Sequence, residues 1–380
     1  MPFSILHSSF SILLYTAHMT LQIGIVGLGQ GCSHLQAFQL IDNTQVIAIC
    51  DSDAARCARV AHEYGIATTY HDIANLLADK RIDAVVIATP DHLHGTHASM
   101  ALAAGKHVLS EIPMALTIAE CLRIITLSER YGLVYHMGNQ VRYAACLRDV
   151  ATLIHAGDLG PLFYGEGEYL HDMHDIVDAY PTDHWRIHPA TPQTTLLGGG
   201  PHALDTLRWL MQVRFTQVQA FHVSQPSDWQ TTHTTAALLQ SASGAVCKIT
   251  VSYGMQRPYC LYYSVYGRDG TFERSRDQGA PMQPTTNFLY HRRMASATRM
   301  IPVDVPNWYN PRLPRNLRLG HGTMEIEQAM QFRDAIVHQR LADIHAREAA
   351  RSIIPLICAL QSAAQGGGVV DIPDPDTLLA

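Results

Sequence analysis

Short, mostly apolar runs recur along the first third of the chain, each followed by a stretch with helical spacing. Leu21–Val26, Val46–Cys50, Ala84–Ala88, His107–Ser110 and Leu133–His136 have the length of strands. Between them, Ser33–Ile41, Ala54–Tyr64, Ile73–Ala78, Thr96–Ala104 and Ile118–Tyr131 read as helices. A strand that is apolar on both faces must be covered on both, and alternating helices supply that cover. The pattern predicts a parallel, doubly wound sheet over residues 21–138.

The pattern changes after Gly138. Tyr143–Ala156 reads as a helix, followed by strand candidates at Phe163–Tyr169, Thr216–Val223, Thr234–Leu239, Val246–Tyr253 and Cys260–Tyr266. These alternate polar with apolar residues, which predicts an α+β domain over 139–380 built on a large, open, mostly antiparallel sheet. A helix is expected over Ala203–Met211, and Arg274–Leu317 reads as a long irregular excursion. Glu325–His338 and Ala346–Ala364 are the last helices, with the terminal one expected to pack back near the first domain. Residues 1–20 are expected to form a disordered extension, and Met19 is a candidate start.

Charge narrows the functional classes. The chain has 33 acidic against 27 basic residues, a formal net charge of −6, which argues against bulk nucleic-acid binding. No apolar run is long enough for a membrane-spanning helix. The eight cysteines include no CxxC pair, so free thiols and a cytoplasmic location are expected. With three lysines in the whole chain (Lys80, Lys106 and Lys248), a catalytic lysine has few possible positions.

Gly27-Leu28-Gly29-Gln30-Gly31-Cys32 closes the first strand and opens the first helix. Gly27 can turn the chain, Gly29 clears room for a diphosphate, and amides at the helix start can receive the anion. Cys32 takes the third small position. Asp51, at the end of the second strand, can bind both hydroxyls of an adenosine ribose and repel a 2′-phosphate, which favours NAD over NADP. Thr89, Pro90 and His94 follow the Ala84–Ala88 strand, and Glu111 follows the next. All four are candidates for the nicotinamide side.

At this point the chain resembles the glucose–fructose oxidoreductase, inositol dehydrogenase and MocA-type family. The motifs are the glycine turn, Cys50-Asp51, Ala88-Thr-Pro-Asp-His-Leu-His94, Gly105–Pro113, Arg142-Tyr143, Trp185-Arg186, Gly198–Asp205 and Gly366–Pro373. The resemblance implies a nucleotide-binding domain joined to an α+β domain, oxidation or reduction of sugars, cyclitols or related polyols, and homodimers or homotetramers formed through the second sheet. Two departures stand out. The family's Glu-Lys-Pro is here Glu111-Ile112-Pro113, so the lysine that assists proton transfer is absent. An aspartate four residues before the family histidine is here Gly198. Glu-Ile-Pro and Gly167-Glu-Tyr-Leu-His-Asp172 point to a subgroup carrying those variants.

His202 is the first candidate for proton transfer, since an imidazole with an ordinary pKa near 6.5 suits exchange with a hydroxyl. It is expected at a helix amino terminus, with Asp205 on the same face to orient the ring or bind a hydroxyl. His171 and Asp172 form a second candidate pair beside Tyr169. His174, Asp175 and His184 raise the alternative of a metal site, but their spacing matches no closed metal motif, and no metal is expected. Trp185 and Arg186 are expected on the substrate side. Asn139 is expected to reach the cofactor, Arg142 the substrate, and His321 to enter the pocket from the carboxyl side.

Three functions compete. The first is reversible hydride transfer between NAD and a secondary hydroxyl. The second is a redox-neutral glycosidase or lyase that oxidises a sugar transiently and eliminates an aglycone. The third is a non-catalytic protein that binds NAD and sugar.

Overall fold

The computed structural model describes residues 20–173, 185–186, 194–223, 234–274, 288–292, 299–301 and 323–380. The expected extension over 1–20 lies outside them, except for Thr20.

The first domain starts with β1 (Leu21–Val26), α1 (Gly31–Gln39), β2 (Thr44–Cys50), α2 (Ala54–Tyr64), β3 (Thr68–Tyr70) and α3 (Ile73–Ala78). It continues through β4 (Ala84–Ile87), α4 (Asp91–Ala103), β5 (His107–Ser110), α5 (Ile118–Tyr131) and β6 (Tyr135–Met137). All six strands are parallel, in the order β3-β2-β1-β4-β5-β6. The order reverses direction between β1 and β4, and at such a switch point the carboxyl ends of the strands leave a crevice. Lys106, just before β5, points away from that crevice and donates to the carbonyls of Asp79 and Ile82 at 2.9 and 2.6 Å.

A single turn over Gln140–Tyr143 leads into α6 (Ala145–His155), β7 (Leu162–Leu170) and α7 (Thr195–Met211). Then come β8 (Phe215–Val223), β9 (Thr234–Ser241), β10 (Val246–Ser252), β11 (Cys260–Gly267) and β12 (Gly270–Arg274). Strands β13 (Phe288–Arg292) and β14 (Arg299–Ile301) fall inside the expected irregular excursion and extend the same sheet, which corrects that reading. Helices α8 (Thr323–Val337) and α9 (Ala346–Ala364), then β15 (Val370–Asp371) and α10 (Pro375–Leu379), end the chain.

The second sheet has nine strands, ordered β14-β13-β12-β11-β7-β10-β9-β8-β15. Among the described pairings only β7 with β10 is parallel. Helices α7 and α9 cover one face, burying Val218, Ala220, Leu239 and Ile249. Helix α8 returns to the first domain, where Phe332 packs edge-on against Phe38 of α1 with ring centroids 6.3 Å apart.

Helix α7 corrects the sequence reading most. It starts eight residues earlier than expected, with the Thr194 hydroxyl capping the Leu197 amide at 3.1 Å, and runs through Gly198-Gly199-Gly200-Pro201. Intrinsic propensity opposes a helix there. Tertiary packing overrides it, because a Cβ on Gly199 would lie 2.6 Å from the Tyr169 ring and one on Gly200 3.1 Å from Leu356. The glycines let α7 press against β7 and α9.

Candidate active site

The turn after β1 is shaped to receive an anion. Gly27 has φ +88°, and a Cβ on it would come within 2.4 Å of the Ala88 carbonyl oxygen. Above Gly29 there is nothing within 4 Å of the position a Cβ would take, so that glycine leaves open space. A Cβ on Gly31 would stand 3.0 Å from Ile25, so Gly31 and not Cys32 gives the close approach of helix to strand. Cys32 instead donates its thiol to the Leu28 carbonyl at 3.2 Å. Asp51 braces the turn: Oδ2 accepts from the Leu28 amide at 2.8 Å, and Oδ1 from the Asp53 amide at 2.9 Å. Arg56 stands 3.4 Å from the same carboxylate. Gln30 links the turn to α8, donating to Glu325 at 3.3 Å. Together the open turn and the carboxylate at the next strand end fit a dinucleotide.

The ends of β4 and β5 form the opposite wall. His94 lies in the first turn of α4, with its ring nitrogens 2.8 Å from the Pro113 carbonyl and 2.7 Å from the Thr89 carbonyl, so it ties the two strand ends together. Pro90 precedes α4, and the Thr89 hydroxyl pairs with His97 at 3.1 Å. Burial pushes the His97 imidazole down to about 4. Glu111 pairs with His34 of α1 at 2.6 Å and accepts from the Ile112 amide at 3.3 Å. Ile112 is packed into the core, so its position offers no proton carrier.

His202 belongs to the third turn of α7 and not to the helix amino terminus expected for it. Its ring stacks on Tyr169, with centroids 5.4 Å apart and planes 11° apart. The Tyr263 hydroxyl donates to its backbone carbonyl at 2.7 Å. The imidazole Nδ1 lies 2.9 Å from Oδ1 of Asn139, whose Nδ2 donates to Asp205 at 2.7 Å. Arg142 donates to Asp205 from Nε at 2.7 Å and Nη2 at 2.6 Å, and the Ser352 hydroxyl donates to it at 2.6 Å.

These contacts correct three assignments. Asp205 has no exposed surface and is saturated by donors, so it neither meets a substrate nor carries its proton. Arg142 is buried and clamped to Asp205 on two nitrogens, which removes it from the substrate side. Asn139 is also fully buried, and both ends of its amide are taken up by His202 and Asp205, which leaves its side chain no polar group for the cofactor. Burial alone would raise the Asp205 carboxyl, but the Arg142 charge and hydrogen bonds outweigh it and hold the group below its ordinary range.

Around the Tyr169 ring an aromatic wall completes the site. The Tyr169 hydroxyl is 3.1 Å from Nδ1 of His171, and the His171 ring lies over Tyr259 with centroids 4.5 Å apart. Tyr253 meets Tyr169 edge-on at 6.1 Å. Arg186 stacks over Trp185 at 4.2 Å, and its charge acts on Tyr169 and Tyr253 together with that of Asp91 from the first domain. Burial pushes the Tyr169 phenol up to about 12, so it remains a donor at neutral pH. Asp172 follows β7, partly exposed. Tyr253, Tyr259, Asp91 and His34 were not singled out as site residues from the sequence, although Asp91 stands within the Thr-Pro-Asp-His string. His174, Asp175, His184 and His321 lie outside the described residues. Among the described residues no group of three His, Cys, Asp or Glu side chains could hold a metal.

The chain from 21 to 139 matches the oxidoreductase family model for an NAD-binding Rossmann fold, and 147–273 matches the GFO/IDH/MocA C-terminal domain. The chain belongs to the Gfo/Idh/MocA family. Inositol 2-dehydrogenase 1 of Saccharopolyspora erythraea is 29% identical over 259 residues, covering 67% of this chain and 73% of that protein. A glycosyl hydrolase family 109 protein of Streptomyces coelicolor is 26% identical over 400 residues, covering 95% and 84%. A levoglucosan dehydrogenase solved with NADH and levoglucosan superposes with a TM-score of 0.81 at 20% identity, covering 93% of this chain and 99% of that one. This Gfo/Idh/MocA chain is an NAD-linked oxidoreductase. The seven described cysteines are free, and no described helix is long and apolar enough to cross a membrane.

Proposed function

We propose that this protein oxidises or reduces a secondary hydroxyl of a sugar, cyclitol or related polyol, with NAD as its cofactor and His202 as proton carrier. The observation that supports this most is the juxtaposition of His202 and Tyr169 with Asn139 and Asp91 from the carboxyl edge of the first sheet. NAD, when bound, accepts or supplies the hydride. Gly27 and Gly29 make its diphosphate seat, and Asp51 holds its adenosine ribose and disfavours a 2′-phosphate. The aromatic wall of Tyr169, Tyr253 and Tyr259 suits the apolar face of a sugar ring, while His171, Asp172 and Arg186 can meet its hydroxyls. His202 then exchanges the proton of the reacting hydroxyl, the part a lysine at position 112 would otherwise share. The likeness to inositol and levoglucosan dehydrogenases supports the substrate class, and Ile112 supports placement in a Glu-Ile-Pro subgroup.

The test is NADH formation across a panel of cyclitols, aldoses and anhydrosugars, repeated with His202→Ala and His171→Ala. A loss of about 10²-fold or more is expected for His202→Ala, the usual contribution of a positioned acid–base group. Unchanged turnover in both variants would overturn the proton-carrier role. Asp51→Ala should shift preference toward NADP by about tenfold, roughly 1.4 kcal/mol.

The redox-neutral glycosidase reading is favoured by Ile112 together with the near full-length likeness to the family 109 glycosyl hydrolase. Sugar release from aryl glycosides without net NADH would select it. Half-exposed Phe221, Val223 and Leu238 stand on the open face of the second sheet, which supports a homodimer or homotetramer formed there, and the free thiols support a cytoplasmic location.

A further inference from the structure

We infer that Asn139, held by Asp205 and Arg142, is a positioning residue that fixes His202 in the tautomer whose Nε2 receives the substrate proton. The inference rests on His202 being the proton carrier and adds which nitrogen does the work and what selects it. Asp205 receives two N–H groups from Arg142, at 2.7 and 2.6 Å, and the Ser352 hydroxyl at 2.6 Å, so it is an ionised acceptor. A carboxylate can only accept, so the amide NH2 of Asn139 must face it, at 2.7 Å. The Asn139 carbonyl oxygen is then left facing His202 Nδ1 at 2.9 Å, and that oxygen also only accepts. The proton must therefore reside on Nδ1, and the neutral ring presents Nε2 as its basic nitrogen. Each member dictates the orientation of the next.

The relay crosses the domain boundary. Asn139 and Arg142 lie at the domain junction just after β6, Asp205 and His202 are on α7, and Ser352 is on α9. It thereby sets the ring relative to the parallel sheet whose edge carries the glycine turn. The Tyr169 ring from β7 stacks on His202, and the Tyr263 hydroxyl from β11 holds its backbone. Because the Asn139 amide is neutral, it orients the imidazole without the added basicity that a directly paired carboxylate confers. Asp205 is thus kept one residue removed from the ring.

Nitrogen-15 NMR of the full chain labelled at histidine, with His202→Gln used to assign the resonance, reads the tautomer directly. The expected result is a protonated Nδ1 and an unprotonated Nε2 at neutral pH. The reverse tautomer in the wild-type protein would overturn the inference. Asn139→Leu, which keeps the branched shape but has no polar atom, should mix the tautomers and lower hydride transfer by about 10²-fold or more. Asn139→Asp places a charge against the ring and should move the acidic limb of the pH–rate profile for hydroxyl oxidation upward, a change that a purely structural role would not produce. If His202→Ala leaves transfer intact, the proton-carrier reading fails whatever the tautomer. If His202 is essential but Asn139→Leu keeps a single tautomer and the wild-type pH profile, the relay alone fails.

Discussion

Two glycine-rich segments shape this molecule, and they use the missing side chain in opposite ways. Gly27 and Gly29 stand at the mouth of the first sheet, one in a left-handed turn and the other under open space. Gly198-Gly199-Gly200 lies inside a helix, where the absent side chains are replaced by the Tyr169 ring and Leu356. The first segment leaves room for something the chain does not contain. The second brings parts of the chain itself close enough to stack Tyr169 on His202. Local composition is similar, so only the surroundings distinguish a binding seat from a packing surface.

That contrast can be broken by substitution. Gly27→Val should cost most, about 4 kcal/mol or more, because a branched side chain meets both the left-handed backbone and the Ala88 carbonyl. Chemical denaturation would show it as a large fall in midpoint or an insoluble product.

Acid separates the two domains next. His107 accepts from the Val134 amide at 2.9 Å and His136 pairs with the Tyr143 hydroxyl at 2.9 Å, so both are held neutral. Burial lowers their pKa to about 4 and about 3. The unfolded chain, with histidine near 6.5, takes up protons first. Stability is therefore full above about pH 6.5 and falls as pH drops toward 4, by roughly 3 kcal/mol for His107 alone. Asp205, its carboxyl lowered, stays ionised through that window. Urea midpoints measured from pH 7 to 4 should decline, and His107→Gln should flatten the slope.

Gly199→Ala is expected to cost about 2 kcal/mol, the usual penalty of overpacking, while displacing Tyr169 and lowering turnover. Gly29→Ala should change stability by less than about 0.5 kcal/mol yet weaken NAD binding, measured by calorimetry. Equal losses of stability from the two alanines would erase the distinction between the segments.

Much of the first domain was legible because β1, β4 and β5 are buried on both faces, and continuous apolar runs have few other uses. The three-residue edge strand Thr68–Tyr70 was missed, being short and partly exposed. The early start of α7 was missed because a Gly-Gly-Gly-Pro run signals a break, and the contacts that hold it helical come from Tyr169 and Leu356. His202 stood out as a candidate from its residue chemistry and from the family resemblance. Its bond to Asn139, 63 positions away, was not, since nothing local to Asn139 marks which way its amide turns. Arg142 and Asp205 were each noticed, but separately, and only the fold shows that they satisfy one another.

The seating of α8 on α1 sets an order of assembly. Gln30 and Glu325 are 295 positions apart, and Phe332 helps close the hydrophobic cluster that contains Leu35 and Phe38. During synthesis, the amino-terminal domain therefore leaves the ribosome with one flank uncovered, and it waits for the last sixth of the chain to shield it. Nascent chains cut short before α8 should bind chaperones and aggregate, however complete their glycine turn.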